Sequence, residues 1–124
     1  MSVGQDFDFG LLAEGGFPLR TLATGEKVFA AEDKAEHLFV VKSGRVEIVA
    51  FGTVLDVIGP GGIFGEMALI DGGVRSASAV AAEPSEVAPV NREAFVFLVG
   101  RNPDFALQVM RVLVKRIRGM NESL

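Results

Sequence analysis

Between Gly25 and about Val90 the apolar residues fall in short runs broken by Gly, Pro and charged pairs, the spacing of several antiparallel strands. Leu38-Phe39-Val40-Val41 leads through Lys42-Ser43-Gly44 into Arg45 to Val49, where Arg45 and Glu47 alternate with Val46 and Ile48. That period of two predicts a half-buried strand, with a hairpin at Ser43-Gly44. Ala50 to Thr53 predicts another turn into Val54 to Ile58, and Gly59-Pro60-Gly61-Gly62 stops regular structure. Ala77 to Ala82 and Glu86 to Val90 read as two further strands separated by Pro84-Ser85.

The period then lengthens. Asn91 predicts an N-cap for a helix over Arg92 to Val99, with Gly100 as its terminator. Asn102-Pro103-Asp104 supplies a cap, a helix-starting Pro and an acid in the first turn, opening a second helix from Pro103 to about Arg118, closed by Gly119. Asp104, Gln108, Arg111, Lys115 and Arg118 form one polar stripe on it. The remaining positions, from Phe105 to Ile117, are mostly apolar over more than one helix face, so a partner helix is expected to cover part of them, as in a homodimer. The expected fold is mainly β with α: a double-stranded, jelly-roll-like antiparallel β-roll followed by two C-terminal helices. Residues 1–21 read as an N-terminal segment in which Gly15, Gly16 and Pro18 prevent a long helix, and residues 22–124 as the domain.

Composition narrows the chemistry. A length of 124 residues fits one domain. The absence of Cys excludes disulfide scaffolds, thiolate metal sites and thiol catalysis, and fits a reducing cytoplasm. A single His, His37, leaves no His-pair metal site, and its place beside Glu36 reads as an exposed residue without a role. No run approaches the 18 apolar residues of a membrane span, and no basic residue precedes an apolar run near the N-terminus, so a cytoplasmic protein is expected. The net charge of −4 argues against direct binding of nucleic acid. That charge is uneven: residues 1–100 carry seven bases and fourteen acids, whereas residues 101–124 carry five bases and two acids.

Phe64-Gly-Glu-Met-Ala-Leu-Ile70, Asp71-Gly-Gly-Val74 and Arg75-Ser-Ala-Ser-Ala79 carry the candidate chemistry. Gly65 permits close approach of backbone to a ligand, and a turn of helix beginning near Ala68 would point free N–H groups at an anion. Arg75 adds charge-assisted hydrogen bonds and Ser76 a hydroxyl, which together suit a phosphate. Glu66 repels phosphate, so as a ligand residue it must face a neutral donor such as a sugar hydroxyl. The combination suits a sugar phosphate; a structural alternative pairs Glu66 with Arg75. Gly61-Gly62 and Gly72-Gly73 read as turn glycines.

The stretch Phe64 to Ala81 resembles the phosphate-binding cassette of cyclic nucleotide-binding domains, the β-roll modules of catabolite-activator-type transcription factors, cyclic-nucleotide-gated channels and cyclic-nucleotide-dependent kinases. Gly25-Glu26 with Val28-Phe29, Leu38 to Val41 with Ser43 to Val46, Gly59-Pro60-Gly61 and Arg92 to Phe95 resemble the framework of that family in the same order, over about residues 22–118. The resemblance implies a receptor without catalytic residues, metal or cofactor. Its ligand would be cyclic AMP, the commoner ligand of the bacterial members, or cyclic GMP. Matching positions would place Glu66 on the ribose 2′-hydroxyl, Arg75 on the cyclic phosphate, and Gly65, Met67, Ala68, Ser76 and Ala77 around them.

Val74 stands where Pro is common and Glu32-Asp33 where Gly-Asp is usual, so looser turns are expected there. No helix-turn-helix, kinase or channel follows within the 124 residues, so the signal is expected to pass to an effector protein. Two other classes stand beside the receptor: a nucleotide-independent dimerisation or interaction module on the same scaffold, and, more weakly, an enzyme acting on phosphorylated sugars.

Overall fold

A computed structural model describes residues 16–69 and 73–122. The expectations for residues 1–15 and for Gly72 lie outside the described residues. Eight strands run β1 (Arg20–Leu22), β2 (Lys27–Phe29), β3 (Leu38–Ser43), β4 (Val46–Ala50), β5 (Thr53–Ile58), β6 (Ile63–Phe64), β7 (Ser78–Ala81) and β8 (Ser85–Val90). Helices α1 (Arg92–Arg101) and α2 (Asp104–Glu122) follow. The strands form two four-stranded antiparallel sheets, ordered β1-β8-β3-β6 and β2-β7-β4-β5, the β-roll expected from the alternation.

Residues Leu38 to Val41 are all apolar because β3 is buried on both faces. Phe39 and Val41 point between the sheets, where Leu22, Val28, Val46, Ile58, Phe64 and Val87 meet them. Leu38 and Val40 point the other way, into a second core completed by Ile63, Val90, Leu98, Phe105 and Val109. Successive side chains on a strand alternate faces, so one four-residue run serves two cores and fastens the helices to the roll. Burial of a side chain such as Phe105, only 1% exposed, is worth about 1.5–3 kcal/mol.

The expected hairpin at Ser43-Gly44 is not one. β3 pairs with β6 and β8, whereas β4 pairs with β5 and β7, so this bend carries the chain from one sheet to the other. Gly44 has φ 86°, and a Cβ on it would collide with Ser85 Oγ. Alternation identifies strands but not their partners, and here the tight bend serves a crossing. The true hairpin joins β4 to β5, with Phe51 and Gly52 both at positive φ, 52° and 73°.

Both helix starts agree with the sequence. Asn91 accepts the Ala94 N–H at 2.8 Å, and Asn102 accepts the Asp104 N–H at 3.2 Å. The expected terminators do not terminate. Gly100 lies inside α1, whose C-cap is Asn102, and α2 continues through Gly119 to Glu122. A glycine costs a helix interior only about 1 kcal/mol, which neighbouring helical contacts can offset. Gln108, assigned to the polar stripe, is 5% exposed, because α2 is buried on the side of Phe105 and Val109.

The turn at Glu32-Asp33 is tied rather than loose. The Ala30 N–H donates to Asp33 Oδ2 at 3.0 Å, the Glu32 N–H to the Arg75 carbonyl and the Arg75 N–H to the Asp33 carbonyl, both at 2.8 Å. Glu32 holds this turn at φ 77°, in the left-handed region. The conformation costs a residue with a Cβ about 1–2 kcal/mol, against about 0.5–1 kcal/mol of extra chain entropy for Gly. Glu32→Gly is therefore expected to raise stability by up to about 1 kcal/mol, read as a higher melting temperature; a lower one would show that the turn carries no strain.

Candidate functional site

After β6, Gly65 and a single 3-10 turn over Glu66–Leu69 replace the helical turn expected near Ala68, so the turn begins at the carboxylate itself. Gly65 sits at φ 74°, and a Cβ there would stand 2.8 Å from Nη1 of Arg75. That glycine leaves room for the guanidinium. Lys34 bridges Val74, and the Ala35 N–H donates to the Gly73 carbonyl at 2.9 Å, so the segment leading to Arg75 is held against residues 32–35.

Arg75 is 7% exposed and runs inward. Its Nη1 donates to the Gly65 carbonyl at 3.0 Å and its Nη2 to the His37 carbonyl at 2.5 Å. The guanidinium lies 4.0 Å from the centroid of the Phe29 ring and 5.8 Å from that of Phe39. Phe29, Phe39 and Phe64 pack with centroid separations of 5.3–6.0 Å, an aromatic floor assembled from β2, β3 and β6. Ring quadrupoles attract a desolvated cation, so this floor partly offsets the cost of burying Arg75. Burial pushes the guanidinium below its ordinary value, with Glu66 and Asp33 opposing.

Glu66 has no exposed surface. Nη1 of Arg116, on α2, stands 2.6 Å from its Oε1, so the ion partner of Glu66 is Arg116 and not Arg75. Burial raises the Glu66 carboxyl above its ordinary value, with Arg116 the first opposing influence. Among the described residues, the buried side-chain polar atoms without an aligned hydrogen-bond partner are Glu66 Oε1, Glu66 Oε2 and Arg75 Nε. Such atoms are costly in a native interior, and all three belong to the two residues singled out from the sequence.

The raised Glu66 value has a signed consequence. The folded protein holds this proton more tightly than the unfolded chain, so Glu66 lowers stability as pH rises from the ordinary carboxylate range, roughly pH 4–5, to its raised folded value. In melts across pH 4–8, the melting temperature of Glu66→Gln minus that of wild type is expected to increase with pH. A constant difference would mean that Glu66 does not titrate in that window.

The other sequence-predicted positions cluster around these two. Met67 is 49% exposed beside Glu66; Ser76 is exposed, and Ala77 is buried at 9%. The backbone of Ala68 lies in the 3-10 turn. His37 is half-buried rather than exposed, and it is its backbone carbonyl, not its ring, that receives Arg75. The sequence reading also missed Arg116, Phe29 and Phe39. Arg116 carried a usable signal: it lies outside the polar stripe and continues the spacing of Phe105, Val109 and Val112, a charge in line with the buried face.

No helix among the described residues is long and apolar enough to cross a membrane, and no group of His, Cys, Asp or Glu there could hold a metal ion. Residues 19–102 match the model of the cyclic nucleotide-binding domain family. The chain is 38% identical over 114 residues to the cyclic AMP receptor protein of Thermus thermophilus, covering 86% of this chain and 52% of that protein. It is 34% identical over 101 residues to the cAMP-dependent protein kinase regulatory subunit of Yarrowia lipolytica, covering 76% of this chain and 27% of that protein. The Thermus thermophilus catabolite activator protein superposes with a TM-score of 0.79 at 32% identity, covering 99% of this chain and 61% of that one. The chain thus spans about half the length of the first of these relatives and a smaller share of the kinase subunit. Matched across all the described strands and through α1, the chain belongs to the cyclic nucleotide-binding domain family.

Proposed function

We propose that this domain is a cytoplasmic, non-catalytic receptor for a cyclic mononucleotide, cyclic AMP in first place and cyclic GMP as the alternative, which signals to an effector protein through movement of α1 and α2. Arg75 takes the cyclic phosphate and Glu66 the ribose 2′-hydroxyl. Gly65, Met67, Ala68, Ser76 and Ala77 surround the ligand with backbone and hydroxyl groups. The supporting observation is a set of buried polar atoms: Glu66 Oε2 and Arg75 Nε have no hydrogen-bond partner, and Glu66 Oε1 meets the Arg116 guanidinium as an ion pair without an aligned hydrogen bond. A sugar hydroxyl donates to a carboxylate, and a phosphodiester oxygen accepts from a guanidinium, so one ligand carrying both groups supplies what these atoms lack. The names of the Thermus and Yarrowia relatives favour cyclic AMP.

Calorimetric titration with cyclic AMP, cyclic GMP and 5′-AMP tests the reading. Micromolar or tighter binding of a cyclic nucleotide and a weaker response to 5′-AMP are expected. Silence toward both cyclic nucleotides favours the second reading, a nucleotide-independent dimerisation module.

That second reading has its own support. Leu107, Met110, Val114 and Ile117, spaced by three, four and three residues along α2, are 45–57% exposed. The spacing is that of a coiled-coil seam. A second copy of the chain could cover it in either reading, and sedimentation equilibrium reports whether it does.

A further inference from the structure

Resting on the receptor reading, we infer that Arg116 is a displaceable latch: it occupies the carboxylate that the ribose must reach, and so couples nucleotide affinity to the position of α2. Helix α2 is anchored at its start, where Phe105, Gln108 and Val109 are 1–7% exposed. Arg116 lies twelve residues beyond Asp104, about 18 Å along the axis. Val112 and Leu113 still pack on the core, but beyond them Val114, Lys115, Ile117 and Arg118 are exposed, so among residues 114–118 the contact of Arg116 with Glu66 ties the helix to the roll.

Both Glu66 oxygens are sealed from solvent, each with less than 1 Å² accessible. A sugar hydroxyl reaches them only when part of their cover leaves. The 3-10 turn on one side is bounded by the sheet, whereas the Arg116 side chain is 35% exposed and has a direct path to water. Once out, it regains full hydration, and the hydroxyl takes its place as donor to the carboxylate. Removing the guanidinium frees the far part of α2 from the roll. The nucleotide and the latched helix therefore compete for one carboxylate, which supplies the differential affinity that a conformational signal requires.

The test compares wild type with Arg116→Gln and Arg116→Lys, using calorimetry for affinity and hydrogen exchange for residues 113–120 of α2. Without the competing cation, Arg116→Gln is expected to bind cyclic AMP about tenfold more tightly, the gain from releasing a closed state populated at roughly nine in ten. The gain should shrink for 2′-deoxy cyclic AMP, which has no hydroxyl to offer Glu66, and a merely structural role would not produce that difference. Arg116→Lys, which keeps a cation, should fall between the two. Segment 113–120 should exchange faster in Arg116→Gln without nucleotide, and equally fast in wild type once cyclic AMP is added. Equal or weaker binding by Arg116→Gln, or wild-type exchange in its helix, overturns the latch. A wild-type protein that binds neither cyclic nucleotide instead overturns the receptor reading, and displacement with it, while exchange in Arg116→Gln still reports on the tether.

Discussion

Replacing Arg75 with alanine is expected to weaken cyclic nucleotide binding by about 100-fold or more, equivalent to about 2.8 kcal/mol. Truncating one partner of a buried charged pair usually costs about 2–5 kcal/mol, much of it from the partner left uncompensated, which in the receptor reading is the cyclic phosphate. The geometry adds a second effect. Arg75 also donates to the carbonyls of Gly65 and His37 and stacks on Phe29, so the alanine variant loses local order together with charge. Hydrogen bonds from charged groups contribute about 1.5–3 kcal/mol each, and a lowered melting temperature is expected to accompany the affinity loss.

Arg75→Lys separates the two effects. Lysine keeps the positive charge but lacks the planar fork that reaches two carbonyls while leaving Nε for a ligand. It is expected to bind about tenfold more weakly than wild type, with affinity and thermal stability both between those of wild type and alanine. Calorimetry paired with thermal melts checks this. Full affinity in Arg75→Ala would remove Arg75 from the phosphate site.

Glu66→Ala is expected to erase preference for the ribonucleotide. A site built around a buried acceptor rejects a ligand lacking the matching donor, because the acceptor is then left unpaired. Wild type should therefore bind cyclic AMP roughly ten- to 100-fold more tightly than its 2′-deoxy analogue, and Glu66→Ala should bind both alike. Glu66→Gln retains a carbonyl acceptor and should keep part of the preference. If the ratio of the two affinities is unchanged in Glu66→Ala, the carboxylate does not face the sugar.

Several elements are legible in the chain itself because their causes are local. Asn91 and Asn102 open helices with side-chain bonds to amides two or three residues away. The alternation from Arg45 to Val49 places Val46 in the core and leaves Arg45 partly in solvent. Gly65 and Arg75 stand out within one short segment, where the Arg75 guanidinium reaches back to the Gly65 carbonyl ten residues away.

Other features are not local. Whether Gly44 sits in a hairpin or a crossing depends on β8, since Ser85 and Pro84 crowd the position where its Cβ would be. The end of a helix depends on what packs along it, and Gly100 and Gly119 do not end theirs.

The sequence by itself determined the two-stage order of strands then helices, the helix starts, and the presence of a carboxylate and a guanidinium within one Gly-rich segment. Each follows from periodicity or from contacts spanning a few residues. Only the tertiary structure decided that β3 serves two cores, that Phe29 and Phe39 underlie Arg75, and that Arg116 closes over Glu66. The contacts of Arg75 with Phe29 and Phe39 and of Glu66 with Arg116 join residues 36 to 50 positions apart, and their pairing is set by how the sheets and α2 enclose a shared interior. Chain order does not encode which buried charge meets which; exclusion of water from a common volume does.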